Sequence, residues 1–578
     1  MKNRDVARML EEIANLLSLL NENPFRIRAY LEAARVVANV PEPIEEVWQQ
    51  GRLQEIPGIG PSIATKIDEY LRTGRSSYVE ELRRRVAPGA PELLQVPGLG
   101  PRRVMALNRL LGIKSIVELE EAARQHRIHD LPGFGEKTEE KIRREIARLR
   151  QRTERMLLAE ALPAAEQVID LLRGHPAVER IDPAGSLRRM KETIGDIDIL
   201  VASRRPEAVM DAFTTLPIVQ EVLAKGPTKS TILTRDNLQI DLRVIKPDEY
   251  GAALVHFTGS KQHNIELRDL AIQRGWKLNE YGLFDERTGR RLASRTEEEV
   301  YAALGLEWIP PELREARGEI QAARERRLPR LVRQEEVRGA VHVHTDWSDG
   351  HNTLEEMAQA ARASGYEYVV VTDHSPGLGV ASGLSPERVR QQHRAIQELN
   401  ARLAPFVVLH GAEVNIRADG TVDYDDAVLR ELDFVTVSVH GAMDQPERRM
   451  TERIVRALRH PDVDVLGHPT GRLLGRREPY AVDLERVLQV AAREGVAVEV
   501  NGSPERLDLP DIWVRRAKEL GVALVLTSDA HQVGGLGNMR YAVATARRGW
   551  AEAHDVLNTR SVDAFRQRLR RARSAAPR

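Results

Sequence analysis

Two histidines two residues apart, then two aspartates and a glycine, occupy the stretch VHVHTDWSDG, residues 341–350. On a regular strand, alternate side chains share a face. His342 and His344 would therefore point together, with Val341 and Val343 packed on the other side. That presents two imidazoles to one metal ion. The same residue types recur where later apolar runs end: Asp349, His374 in VVVTDHS, Glu413 in LHGAEVN, His440 in VSVHG, His468 in LGHPTG, and Asp529 with His531 in TSDAH. Eleven of the 16 histidines follow residue 335, and the chain has no cysteine. A lone buried histidine is ordinarily a core residue. Nine His or carboxylate groups at the ends of successive apolar strands instead predict a multinuclear metal site of nitrogen and oxygen ligands, suited to zinc, manganese or iron. Such a cluster can make hydroxide near neutral pH, which is hydrolytic chemistry.

A second constellation lies upstream in AGSLRRMKETIGDIDIL, which holds Gly185, Ser186, Arg189, and then Asp196 and Asp198 two apart; a third acid, Asp241, follows in LQIDLRV. Three carboxylates converging from two neighbouring strands can hold two magnesium or manganese ions, as in-line phosphoryl transfer requires. The Gly-Ser turn and Arg189 would then meet the phosphates of a nucleotide. Asp-x-Asp alone is often a solvated strand end. The ordered set of turn, arginine, paired acids and distal acid is more specific.

Such groups need elements to hold them. At 578 residues the chain is long enough for several domains. Lys+Arg and Asp+Glu both number 86, so net charge neither suggests nor excludes a polyanionic partner. No apolar run is long enough to cross a bilayer, and MKNRDVARMLEEIANLL reads as an amphipathic helix rather than a secretion signal, which gives a cytoplasmic expectation. Three segments repeat: LQEIPGIGPSIATKI, LLQVPGLGPRRVMAL and HDLPGFGEKTEEKI. Each puts Pro-Gly-x-Gly before a helical pattern. The glycines, Gly58 and Gly60, Gly98 and Gly100, Gly133 and Gly135, would let free backbone N–H groups meet a phosphate oxygen, the alternative being a plain turn between helices. From about residue 155, strands (IGDIDILVAS, LQIDLRVIK) alternate with helices such as PEAVMDAFTTL. PELREARGEIQAARERRLPRLVRQ is charged and nearly lacks an apolar face, which predicts a linker between separate cores. Beyond it, six apolar strands separated mostly by helical patterns predict a βα barrel with its polar residues at the strand ends.

The turn–arginine–acid set resembles that of the family X DNA polymerases, the group of polymerase beta, and the repeats resemble helix-hairpin-helix elements. The likeness continues in HFTGSKQHNIELRDLAIQRGW. There His256, Phe257, Thr258, Gly259 and Ser260 match the family's sugar-contacting turn, and Asn264 and Arg268 match its minor-groove and template-side contacts. The family carries tyrosine where this chain has His256. Its small N-terminal domain in some members removes a 5′-deoxyribose phosphate through a lysine Schiff base. Lys66 falls at that position and Tyr30 at that of an accompanying tyrosine, while Ser62 replaces another family lysine; a phosphate-contacting Lys66 is the alternative. The C-terminal part resembles the PHP (polymerase and histidinol phosphatase) domain, a distorted βα barrel with up to three zinc or manganese ions. That resemblance implies one ion on His342, His344, Glu413 and Asp529, a second bridged by Glu413 to His440 and His468, and a third on Asp349, His374 and His531.

Together these imply a multidomain chain: a helix-hairpin-helix lyase-like domain (1–90), a fingers-like subdomain (91–152), an α+β nucleotidyltransferase palm (153–245), a thumb-like subdomain (246–315), a charged linker (316–335) and a PHP domain (336–578). The implied function is a monomeric DNA repair polymerase that fills gaps in primed DNA from dNTPs. It would carry a metal-dependent nuclease, a 3′–5′ exonuclease or abasic-site endonuclease. The rivals are a DNA-binding scaffold with decayed sites, against which the complete sets of acids and ligands argue, and a PHP unit that acts on small phosphate esters or is only structural.

Overall fold

The computed structural model describes residues 2–569 apart from 21, 40–43, 57, 87–88, 95, 97–98, 154 and 378–380. The chain divides into two compact units, Met1–Glu154 and Arg155–Arg578.

The first unit is helical. Helix Lys2–Leu19 buries Val6, Leu10, Ile13 and Leu17, spaced three or four apart, in a core shared with Ala33, Ala34 and Val37 of helix Pro24–Asn39. The Gly-x-Gly turns lie where the repeats predict. Gly60 and Gly100 are N-caps of helices Pro61–Thr73 and Pro101–Leu111, each with proline in its first turn, and Gly135 precedes helix Glu136–Thr153. Gly58 and Gly133 adopt φ of 82° and 84°, a backbone that a side chain would strain. Gly98 lies outside the described residues.

The second unit opens with a short pair, β1 (Met156–Leu157) and β3 (Thr193–Ile194), and a five-stranded palm sheet. The sheet holds β2 (Arg180–Pro183), β4 (Ile197–Ala202), β5 (Val219–Lys225), β6 (Lys229–Thr234) and β7 (Gln239–Ile245), in the order β2-β4-β7-β6-β5. Only β4 and β7 run parallel, in a register that puts Asp198 opposite Asp241. A small antiparallel sheet follows, β8 (Trp276–Asn279), β9 (Gly282–Asp285) and β10 (Arg291–Ala293). Then come seven parallel strands in sequential order: β11 (Gly339–Val343), β12 (Tyr368–Val371), β13 (Val407–Asn415), β14 (Phe434–Ser438), β15 (Val465–Leu466), β16 (Ala497–Asn501) and β17 (Leu524–Thr527). A bridge from Val343 to Ala530 brings the last strand back beside the first and nearly closes a barrel. Tyr368, Val370, Leu409, Phe434 and Val525 pack with Phe565 in one apolar cluster, while Val369, Val371, Val408 and Val435 face the surrounding helices in another.

Two expectations fail. First, residues 316–335 are no solvated linker. Ile320, Ala323, Leu331 and Val332 are buried, Arg317 pairs with Asp511 at 3.1 Å, and Arg547 donates to the Val332 carbonyl at 3.0 Å. The apolar contacts come from isolated positions in short pieces and the charges find partners, so no periodic face is visible in the sequence. Nor are the cores separate: Leu507 and Tyr541, from the barrel end of the chain, belong to the same apolar cluster as Val168, Leu187, Ile197 and Ile240 of the palm. Second, the His-x-His stretch is not a regular strand. His342 has φ 61° and the β11–β12 register shifts between Ala340 and Val343, so Val341 joins the inner cluster and Val343 the outer one.

Replacing Leu507 with Ala should therefore cost about 2–4 kcal/mol, as burial of an apolar side chain in a close-packed core implies. In differential scanning calorimetry the transition of residues 155–578 should remain single and shift down. Separate transitions, with only one moved by the substitution, would show independent cores.

Candidate active sites

The palm site is built at the start of β4. Asp198 is the second residue of that strand and Asp241 faces it from β7, while Asp196 sits on the turn just before, one position outside the strand. The Gly185-Ser186 turn closes over them. Gly185 has φ 60°, and a Cβ there would lie 2.9 Å from Asp198 Oδ2, so only glycine lets the turn approach. Burial first, then the charges of Asp196 and Asp241, push Asp198 up to about 6. Asp241 Oδ2 lies 2.7 Å from Lys229 Nζ, and its buried Oδ1 has no hydrogen-bond partner. Mutually repelling carboxylates, one of which has one oxygen held by an ammonium and the other orphaned, fit hard divalent cations.

Arg189 is placed by two hydrogen bonds, from Nε to Glu315 at 3.0 Å and from Nη1 to the Thr258 carbonyl at 2.5 Å. Its neighbour Arg188 pairs with Glu297, which also holds the fully buried Arg314 at 2.7 Å. Helix Tyr250–Thr258 and the turn Gly259-Ser260 bring His256 and Phe257 to the same region. Their rings meet edge to face at 4.9 Å, and Arg243 lies over Phe257. Asn264 donates to the His256 carbonyl at 2.7 Å, and Arg268 stacks one helical turn on, donating to the Asn264 carbonyl. Burial lowers His256 below the usual imidazole range, so it presents a neutral ring.

All nine residues named for the barrel site gather there. Glu413 is central and fully buried: its Oε2 lies 3.3 Å from His342 Nε2 and 3.2 Å from His374 Nδ1, and its Oε1 is 3.2 Å from His440 Nε2 and 2.8 Å from His468 Nε2. His342, His344 and Asp529 come close enough for one ion, without the Glu413 expected beside them, and Asp349, His374 and His531 form a second set, which His344 also joins; Glu413 and His440 form a third with His374 in place of the expected His468. His342 Nε2, His344 Nδ1 and Nε2, His374 Nδ1, His440 Nδ1 and His468 Nδ1 are buried without a hydrogen-bond partner. Such orphaned nitrogens are costly unless a cation uses them, and the sulfur-free donor set fits zinc or manganese. Burial first, then His531 and His374, hold His344 down at about 3; against burial, Asp349 and Asp529 hold His531 up at about 9. His342, His468 and Asp529 have φ of 61°, 23° and 50°, a left-handed backbone that non-glycine residues keep only where the surroundings enforce it.

Sequence reasoning missed the supports. Glu499 Oε1 accepts from His342 Nδ1 at 2.5 Å and from Thr527, and its Oε2 accepts from the His468 backbone N–H, which fixes His342 with Nε2 toward the ligands. Asp373 accepts from Thr345, Ser348 and Gln392, which anchors the loop carrying Asp349. The signal for Glu499 was present: an acid amid the apolar run VAVEVNG.

In the N-terminal unit, Lys66 Nζ donates to the Ser62 carbonyl at 3.0 Å and lies 4.7 Å above the Tyr78 ring and 6.0 Å from that of Tyr30. Tyr78 also went unnoticed in the sequence.

The sequence matches the families described as helix-hairpin-helix domain over residues 1–76, SAM-like helix-hairpin-helix tandem over 90–148, DNA polymerase beta thumb over 253–315 and PHP domain over 340–503. It is 38% identical to the DNA polymerase/3′-5′ exonuclease PolX of Bacillus subtilis over 98% of this chain and 100% of that protein. Over 38% of the chain it is 30% identical to a probable phosphatase of Thermoanaerobacter sp. (strain X514), covering 89% of that protein, and over 40% it is 30% identical to a probable phosphatase of Acetivibrio thermocellus, covering 94%. With three acids at the palm, nine His and carboxylate groups gathered at the barrel and a relative matched from end to end, the chain belongs to the PolX group, the family X DNA polymerases that carry a C-terminal PHP domain.

Proposed function

We propose that this protein is a gap-filling DNA polymerase whose barrel hydrolyses DNA 3′ ends. The observation that carries the first activity is the placement of Asp198 directly opposite Asp241, with Asp196 adjacent and the Gly185-Ser186 turn packed on Asp198. Asp196, Asp198 and Asp241 would hold Mg²⁺ or Mn²⁺, which when bound supplies the positive charge that phosphoryl transfer gathers. Gly185, Ser186 and Arg189 bind the dNTP phosphates: the turn offers backbone N–H groups and Arg189 a guanidinium already oriented by Glu315 and Thr258. His256 through Ser260 form a wall for the sugar, with Asn264 and Arg268 behind it toward the DNA minor groove and template. The hairpin glycines, Gly58 to Gly135, grip DNA phosphates without reading sequence.

At the barrel, His342, His344, Asp349, His374, Glu413, His440, His468, Asp529 and His531 would hold Zn²⁺ or Mn²⁺, which when bound supplies a hydroxide and withdraws charge from a phosphodiester. Glu413 offers one oxygen to each half of the cluster, and Glu499 keeps His342 in the tautomer that can ligate. The likeness to PolX favours DNA as substrate over small phosphate esters; hydrolysis of a labelled 3′ end against p-nitrophenyl phosphate separates the two. No described helix is long and apolar enough to cross a membrane. The protein would act on DNA as a monomer in the cytoplasm.

Asp198→Asn should abolish primer extension on a one-nucleotide gap while 3′-end hydrolysis persists. It should also stabilise the metal-free protein. The carboxyl titrates near 6 in the folded chain against 3.8 ordinarily. Its proton-linked stability is therefore full below about pH 3.8 and lost as pH rises through 6. The variant should gain on the order of 3 kcal/mol at pH 8 and nothing at pH 3, read by urea denaturation in EDTA.

Glu499→Gln should weaken barrel metal binding about 10- to 100-fold, the usual cost of losing the carboxylate behind a ligating histidine. Metal analysis after dialysis against graded chelator checks it, and wild-type retention would dismiss the role given to Glu499.

Lys66 is the proposed Schiff-base residue for a 5′-deoxyribose phosphate. Borohydride should trap the wild-type chain on such an end and fail with Lys66→Ala; equal trapping would leave Lys66 a phosphate contact.

A further inference from the structure

Arg548 ends helix Met539–Arg548, which packs on the barrel strands, and it lies more than 350 residues beyond Arg189 in the chain. It is nevertheless buried against the palm, with 4% of its side chain exposed. Its Nη1 donates to the backbone carbonyl of Arg189 at 2.6 Å and to Glu315 Oε1 at 3.0 Å, the oxygen that also accepts from Arg189 Nε; its Nη2 donates to Asp511 at 2.6 Å. Arg189 is thus held from both ends, main chain by Arg548 and guanidinium by the carboxylate that Arg548 fixes. With Nε on Glu315 and Nη1 on Thr258, only Nη2 of Arg189 is left without a partner among the described residues.

The strip that follows is gripped again. Met190 has φ 52°, and Glu192 pairs at 2.7 Å with Arg472, four residues after the ligand His468. The side of Arg189 away from Glu315 meets the turn at Gly259, where a Cβ would come within 3.2 Å of Nη1. Arg189 is therefore confined between Glu315 and the Gly259 turn. Two carboxylates, Glu315 and Asp511, meet four cations here, Arg189, Arg548, Arg317 and Lys191. The surplus positive charge suits a polyphosphate beside them.

We propose that Arg548, a residue of the barrel unit, is a positioning residue of the polymerase: it aligns Arg189 for the triphosphate of the incoming dNTP. The proposal rests on the reading of Arg189 given above. It makes the barrel unit part of the nucleotide site without giving it any part in the bond-making step.

The test is steady-state gap filling by the full-length chain on saturating one-nucleotide-gapped DNA, with dNTP varied, and 3′-end hydrolysis measured in parallel. Arg548→Met should raise KM for dNTP about tenfold, the size of a lost charged contact, and change kcat less than about threefold. Hydrolysis should stay within about twofold of wild type, since Arg548 touches no barrel ligand. Arg548→Lys, which keeps the charge but cannot span all three acceptors, should restore part of the affinity. Combined with Arg189→Ala, Arg548→Met should add nothing further, because it acts through Arg189. The proposal is overturned by an unchanged KM in Arg548→Met, by additive effects in the double variant, or by KM, kcat and hydrolysis all failing together in both Arg548 variants. If Arg189→Ala alone leaves the KM for dNTP unchanged, the role of Arg189 fails first and takes that of Arg548 with it.

Discussion

Like charges must be brought together in this molecule before anything else can happen. Asp198 and Asp241 stand opposite each other only because β4 and β7 pair in parallel, in one register, within an otherwise antiparallel sheet. A slip of one residue would turn one carboxyl to the other face. The buried isoleucines, leucines and valines of both strands fix that register, so the apolar core does the work of holding two repelling groups in place. Burial then raises the charge cost further, and the cation that relieves it becomes part of the function.

The barrel meets the same constraint by another route. Glu413 lies among imidazoles rather than among acids, so its charge is compensated from within, and the strain moves to the backbone at His342, His468 and Asp529. Behind the ligands stand buried carboxylates, Glu499 and Asp373, whose hydrogen bonds decide where each ring or loop points. The palm site is all oxygen and the barrel site mixes nitrogen with oxygen. The two sites thus offer donor sets suited to different metal ions, although their packing is continuous.

Much of this was legible in the residues. Apolar runs such as VVVTDH and VLTSDAH end in polar groups because parallel strands buried on both faces present ligands only at their ends, so strand order and ligands could be read together. The glycine turns were legible because Gly58, Gly60 and Gly185 do what no other residue can. What stayed hidden was long-range and charged. Arg314 and Arg548 look like solvated surface in a window of sequence, and become core only when Glu297, Asp511 and Glu315 arrive from elsewhere. The bulge at His342 was hidden too, since alternation of valine and histidine fits a flat strand as well as a broken one.

The shared apolar cluster has a consequence for how the protein is made. The palm strands are complete at Ile245, but Leu507 and Tyr541, which fill their cluster, leave the ribosome more than 250 residues later. At roughly 5–20 residues per second, the palm waits some tens of seconds with part of its core open to water. During that interval the nascent chain exposes an apolar surface that the finished molecule covers. Chaperone demand during synthesis should therefore fall on the palm, not on the barrel, whose sequential strands each find a neighbour as they emerge.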